Sequence, residues 1–253
     1  MMAGWETYAQ VFGIYGSMMV FFIIIGYKIL KRRRSRLSLT CSMFYFLVAG
    51  AFLINIVYRV IGLHEVNIIL NTMTFFLGCL GLLFLLLFNQ ILLKSEKVFT
   101  AKKQAAYIIG YLVLLSLYFV FMANGQVGFQ YEDISTTEIY TLADDPQLQE
   151  DLGVPVWKWP FAIYGLIITQ IVYGWTMYTG IKLRKKMGNT QFAKKYTYNL
   201  IGEMLFDVVP VGTILVNTIN SELGRTILPL VSLMVIPAAI LVYKGLKSEK
   251  KKE

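Results

Sequence analysis

The feature that most constrains this chain is the arrangement of its apolar residues in blocks of about 20. That is the length a helix needs to cross a hydrocarbon core of roughly 30 Å. In lipid the backbone must satisfy its own hydrogen bonds, so each block is expected to be a helix. Seven such spans can be read: 9–30, 39–63, 68–93, 105–124, 159–181, 196–219 and 226–246. Between the fourth and fifth lies the longest connection, 125–158, and after the seventh a basic tail, 247–253. The expected fold class is an all-α membrane protein, a seven-transmembrane helix bundle. Composition agrees: 57% of the 253 residues are hydrophobic and 15% charged, against about 25% charged in soluble domains.

Orientation follows from Lys and Arg in the flanks. Twenty-one of the 24 fall on one side of the alternating spans, and only Arg59, Lys158 and Arg225 on the other. The basic side is therefore expected to be cytoplasmic, which puts the N-terminus outside and the C-terminus inside a cell membrane crossed several times. The opening MMAGWETYAQ has no Lys or Arg before the first apolar block, so that block reads as a retained span rather than a signal peptide. Trp5, Trp157, Trp159 and Tyr196 stand near span ends and suit the interfacial aromatic belts.

The net charge of +9 would suit nucleic acid, but the basic residues sit in short loops between apolar blocks, and no nucleic-acid partner is expected. The expected partners are the lipid bilayer itself and anionic lipid at the basic inner loops and tail. Cys41 and Cys79 both lie within apolar blocks, so a disulfide framework is not expected.

Connection 125–158 is acidic, with Glu132, Asp133, Glu138, Asp144, Asp145, Glu150 and Asp151. VGFQY alternates in a way that permits a short hairpin. Asp145-Pro146 reads as a helix start and Gly153 as a stop. The connection is either a solvated lid or a cap that contacts a ligand or partner.

Charged groups inside a membrane are rare, costly and mostly inward-facing. Span six carries two, Glu203 and Asp207, four residues apart and so on one face. Counting the helical rise places Asp207 near mid-bilayer and Glu203 nearer the cytoplasm. Pro210 follows and is expected to kink the helix. Asp207 reads either as a proton or ion site or as a neutral carboxyl hydrogen-bonded within the bundle. Glu203 has a further reading, an ion pair with a snorkelling Lys28 or Lys244.

In span two, Asn55, Tyr58 and Arg59 stand near the outer leaflet. With His64 and with Asn71 of span three they form a polar outer pocket, unless Arg59 simply snorkels to the headgroups. Span five sets Thr169, Tyr173, Thr176 and Gly180 at helical spacing, with Gln170 beside them; such residues either join helices or line a ligand.

Other signals are missing. Span seven has no mid-span lysine for a retinal Schiff base. Span three ends in LFNQILLK without Asp-Arg-Tyr, and span seven lacks Asn-Pro-x-x-Tyr. There is no paired His or Cys spacing for a metal, no phosphate loop, and no nucleophile–base arrangement. Neither an enzyme nor a cofactor is expected.

The run from Gly153 to Asn217 reads GVP, then W and Y, a helix, a basic loop, and a second helix containing IGEML and VVPVGTILVN. It resembles the seven-helix sensor region at the N-terminus of many bacterial and archaeal histidine kinases, with Gly202, Pro210 and Asn217 as the matching positions. The last span, ILPLVSLMVIPAAILVYKGL, is similar to that family's final helix. No kinase domain is read after it. The resemblance implies a stand-alone receptor-like bundle without catalysis, which reads an unknown small ligand outside and passes the change to a cytoplasmic signalling protein. Two alternatives stay open: a small transporter or proton-coupled carrier using Glu203 and Asp207, and a structural subunit of a larger membrane complex.

Overall fold

The structure is a computed structural model. It describes residues 9–32, 35–61, 64–123, 129–132, 139–140, 154–219, 227–228 and 230–246. A π-type turn over Ala9–Tyr15 leads into α1 (Gly16–Arg32). Then come α2 (Arg36–Ile61), α3 (His64–Val98) and α4 (Ala101–Ala123). Three short strands follow: β1 (Phe129–Glu132), β2 (Ile139–Tyr140) and β3 (Val154–Trp157). The chain continues as α5 (Trp159–Lys186), α6 (Gln191–Ile219) and α7 (Val235–Leu246).

Among the described residues, six helices are long and apolar enough to cross a membrane, α1 to α6. They match the first six expected spans to within a few residues. The seventh apolar stretch is shorter, Leu230–Gly245, and is interrupted by a turn at Leu233–Met234. Pro237 accounts for the interruption. It has no N–H to give to Leu233, and its ring crowds that carbonyl. The chain turns there with tighter bonds, from Leu233 N to Leu230 O and from Met234 N to Val231 O. Pro210, by contrast, lies inside α6 without ending it.

α3 is the central helix: 61% of its apolar window is buried, against 17% for α4 at the rim. One side of α3 packs with α4 and α5 around Phe75, Tyr118, Trp157 and Phe161. The other side, through Leu85 and Phe88, joins a core of Phe22, Phe44 and Tyr45 from α1 and α2, Phe206 from α6, and Ala238 and Val242 from α7. The exposed residues of α4 to α6 include Ile109, Val113, Val120, Ile167, Ile171, Met204 and Val208. An apolar exterior over a packed interior is what a helix bundle presents to lipid.

The sheet has strand order β2-β1-β3, antiparallel throughout, with Phe129 opposite Trp157 and Tyr131 opposite Tyr140. This is the pairing the VGFQY stretch permitted, and it adds a small β element to the expected all-α class. The expected helix after Asp145-Pro146 lies outside the described residues.

At the opposite, Lys/Arg-rich end, α2 is tied to the α3–α4 corner. The Arg36 guanidinium donates to the carbonyls of Glu96 and Phe99, and Leu37 N donates to Glu96 Oε1 at 3.2 Å. The corner is made by Ser95, which leaves the helical region at φ 69°.

Candidate functional site

Two polar regions stand out, one toward each end of the bundle. Toward the sheet end, residues of α2, α3 and α6 line a cavity of about 180 Å³. Its walls are mostly apolar, with Phe44, Phe52, Phe75 and Leu82 among them. Its polar groups include Asn55 from α2, Asn71 and Thr74 from α3, and Thr213 and Asn217 from α6, with Ser232 just before the Leu233–Met234 turn. A mostly apolar cavity with a few placed polar groups is the usual form of a small-molecule site. Asn71 is held in place by Trp157, whose indole Nε1 donates to Asn71 Oδ1 at 3.3 Å. Asn55 Oδ1 is buried and has no hydrogen-bond partner among the described residues. Pro210 lines the same space, as do Ser232 and Val235 on either side of the Leu233–Met234 turn.

Of the residues expected to form a polar pocket, Asn55 and Asn71 both line this cavity, and Asn217 joins them from α6. Tyr58, Arg59 and His64 lie within helices, but their side chains are outside the described residues.

Toward the basic end, Glu203 is fully buried. Its carboxylate accepts from Asn89 Nδ2, at 3.0 Å on each oxygen, and from Asn199 Nδ2 at 2.6 Å. Tyr196 OH donates to Asn89 Oδ1 at 2.9 Å. One residue along α3, Gln90 Nε2 donates to Thr179 Oγ1 at 3.0 Å. The amides that serve Glu203 come from α3 and from one turn earlier on α6, in place of the lysine pairing expected from Lys28 or Lys244. The neighbouring helices reach the cluster through glycines. A Cβ on Gly180 would stand 3.4 Å from both Glu203 Oε2 and Tyr196 OH, and one on Gly245 would stand 2.8 Å from Asn199 Cβ.

Asp207 takes a different course. It is partly exposed on the outward side of the α5–α6 seam, where Gln170 Nε2 donates to both its oxygens, at 3.0 and 3.1 Å. Tyr173 OH lies nearby, donating to the Met204 carbonyl at 3.4 Å. Glu203 and Asp207 therefore do not act as one inward pair. Four residues advance a helix by 400°, and the 40° remainder places Glu203 against α3 and Asp207 at the rim of α5.

Span five divides in the same way. Thr169, Thr176 and Thr179 are buried against the bundle, with Thr169 Oγ1 3.6 Å from Cys79 Sγ, whereas Gln170 faces out. Trp157 and Tyr196 are buried too, which replaces their expected belt positions, because each is drawn inward by a hydrogen bond to an asparagine of α3. Trp159 alone of the described belt candidates is exposed.

Asn89, Gln90 and Asn199 were not singled out in the sequence. Asn89 and Gln90 were legible as an uncharged polar pair inside the apolar run of span three, and Asn199 as the residue four before Glu203.

No protein-family profile matches the chain, and neither a curated protein nor a solved structure is significantly similar to it.

Proposed function

We propose that this chain is a seven-span cell-membrane receptor, N-terminus outside, which takes a small ligand in the sheet-end cavity and passes the change through α5 to α7 to a cytoplasmic partner. The observation that carries this reading is what the cavity touches. It is bounded by Pro210 on α6 and by Ser232 and Val235 across the Leu233–Met234 turn. At both places proline removes a rung from the helical ladder. Such points absorb a change of direction at lower cost than an intact helix. α6 and α7 then pack against each other toward the basic end through Gly202, Ala238 and Val242.

Several features support the finer points. The Leu230–Gly245 stretch is about 24 Å long at the helical rise, enough for a slightly short seventh span. The Lys/Arg asymmetry supports the orientation, and the basic end is suited to anionic lipid and to an acidic partner surface. The residues that carry the likeness to kinase sensor regions stand along this route: Asn217 and Pro210 at the cavity, Gly202 at the α6–α7 contact. The carrier reading has less support, since Glu203 and Asp207 face different surroundings.

The test is a distance between spin labels at Lys194 and Lys244, at the basic ends of α6 and α7, in nanodiscs. Thr213→Trp, which fills the cavity as a ligand would, is expected to move that distance by about 1–2 Å. An unchanged distance in a folded variant would remove the proposed relay.

A further inference from the structure

We infer that the ligand of the sheet-end cavity is a neutral, single-ring alcohol or phenol, an inference that rests on the reading of that cavity as a small-molecule site. Charge narrows the choice first. The described residues that line the cavity include no Asp, Glu, Lys, Arg or His. A carboxylate, phosphate or ammonium group entering it would lose its water and meet no opposite charge. That loss exceeds what hydrogen bonds to neutral groups return. Fatty acids, amino acids, nucleotides and simple amines therefore do not suit it.

Size and shape narrow it further. A cavity of about 150 Å³ walled by Leu, Ile and Phe takes up benzene. At about 180 Å³, this one has room for one ring and a short substituent. Phe44, Phe52, Phe75, Phe206 and Trp157 stand in its wall. Phe75 and Trp157 already meet edge to face, with ring centroids 5.3 Å apart. An aromatic wall of this kind favours a ring that can meet it edge-on or offset.

The polar lining residues choose the substituent. Thr74, Thr213 and Ser232 each give their hydroxyl hydrogen to the carbonyl one turn back, those of Leu70, Val209 and Leu228, at 3.0, 2.8 and 2.8 Å. With the hydrogen committed, each hydroxyl oxygen is left as an acceptor. Asn71 and Asn217 bring amide N–H groups, which donate. A wall that carries both kinds of group is matched by a hydroxyl, which gives one hydrogen bond and accepts another. A ketone only accepts, and a hydrocarbon does neither.

The probe is radiolabelled 2-phenylethanol, equilibrated with the full chain in nanodiscs and corrected for uptake by empty nanodiscs. Saturable binding of one molecule per chain is expected. At equal concentration in the bilayer, ethylbenzene, which lacks the hydroxyl, should compete at least about fivefold more weakly. Phenylacetate and 2-phenylethylamine should compete at least about a hundredfold more weakly. Thr213→Trp, which fills the space, should abolish binding. Thr213→Val, which keeps the shape and removes an acceptor, should weaken the alcohol about threefold and leave ethylbenzene unchanged. The wild-type series decides by itself if a variant does not fold. No saturable binding to the wild type would overturn the ligand class, and so would ethylbenzene or either ion competing as well as the alcohol. The receptor reading fails separately. Alcohol binding with an unchanged Lys194–Lys244 distance removes the relay and keeps the ligand class, and a distance that moves in Thr213→Trp without alcohol binding to the wild type does the reverse.

Discussion

Gln170 and Asp207 join α5 to α6 on the outward side of their seam, one amide nitrogen serving both carboxylate oxygens at 3.0 and 3.1 Å. On a largely apolar exterior, each side chain is the other's means of hydrogen bonding. Asp207→Asn is therefore expected to stay folded and monodisperse in detergent, within about 1 kcal/mol of wild type. Asp207→Leu should lose more, because it strands the Gln170 amide. Gln170→Leu combined with Asp207→Leu should recover much of that loss, and a thermal-stability cycle over the four proteins measures the coupling. Additive losses would mean that the two residues do not interact.

Gly202 sets a second expectation. A Cβ there would meet Ala238 O at 2.5 Å and Val242 N at 3.0 Å, both backbone atoms that cannot swing aside. Gly202→Ala should destabilise by about 1–3 kcal/mol by forcing α6 and α7 apart. Gly110→Ala, where nothing lies within 4 Å, should instead be neutral or gain up to about 1 kcal/mol. Equal melting temperatures for the two variants would contradict the close α6–α7 contact.

Orientation is tested with single cysteines. One placed at Ser135 should react with an impermeant reagent added outside cells, and one at Gly188 should not. Cys41 and Cys79 are both free and buried, so the background is low. Labelling at Gly188 alone would invert the topology.

Proteoliposomes under an imposed pH gradient separate receptor from carrier. No proton flux is expected from wild type or from Asp207→Asn. Glu203 and Asp207 face different helices, and Gln170, the partner of Asp207, cannot relay a proton by titration. Flux in the wild type that disappears in the variant would promote the carrier.

The helices were legible because lipid imposes length and composition on every span, whatever the packing. The six long helices accordingly begin and end close to where the apolar blocks do. Side-chain partnerships were less legible. The four-residue spacing of Glu203 and Asp207 suggested one shared face, but their separate destinations depend on where α3 and α5 lie around α6. Trp157 looked interfacial because a tryptophan beside a span end usually is, and only the position of Asn71 shows why it turns inward. Asn89 was passed over because a neutral amide in an apolar run is unremarkable until a carboxylate is found opposite it.

Trp157 has a mechanical consequence as well. It is both the last residue of β3 and a buried member of the aromatic group formed with Phe75 and Phe161, at centroid distances of 5.3 and 5.0 Å. A rigid indole locked between perpendicular rings has little freedom to tilt on its own. A pull on the sheet from above would therefore be delivered as torque on α3 and on the first turn of α5, and through the Asn71 bond to the wall of the cavity. The sheet serves as a handle whose shaft passes into the bundle.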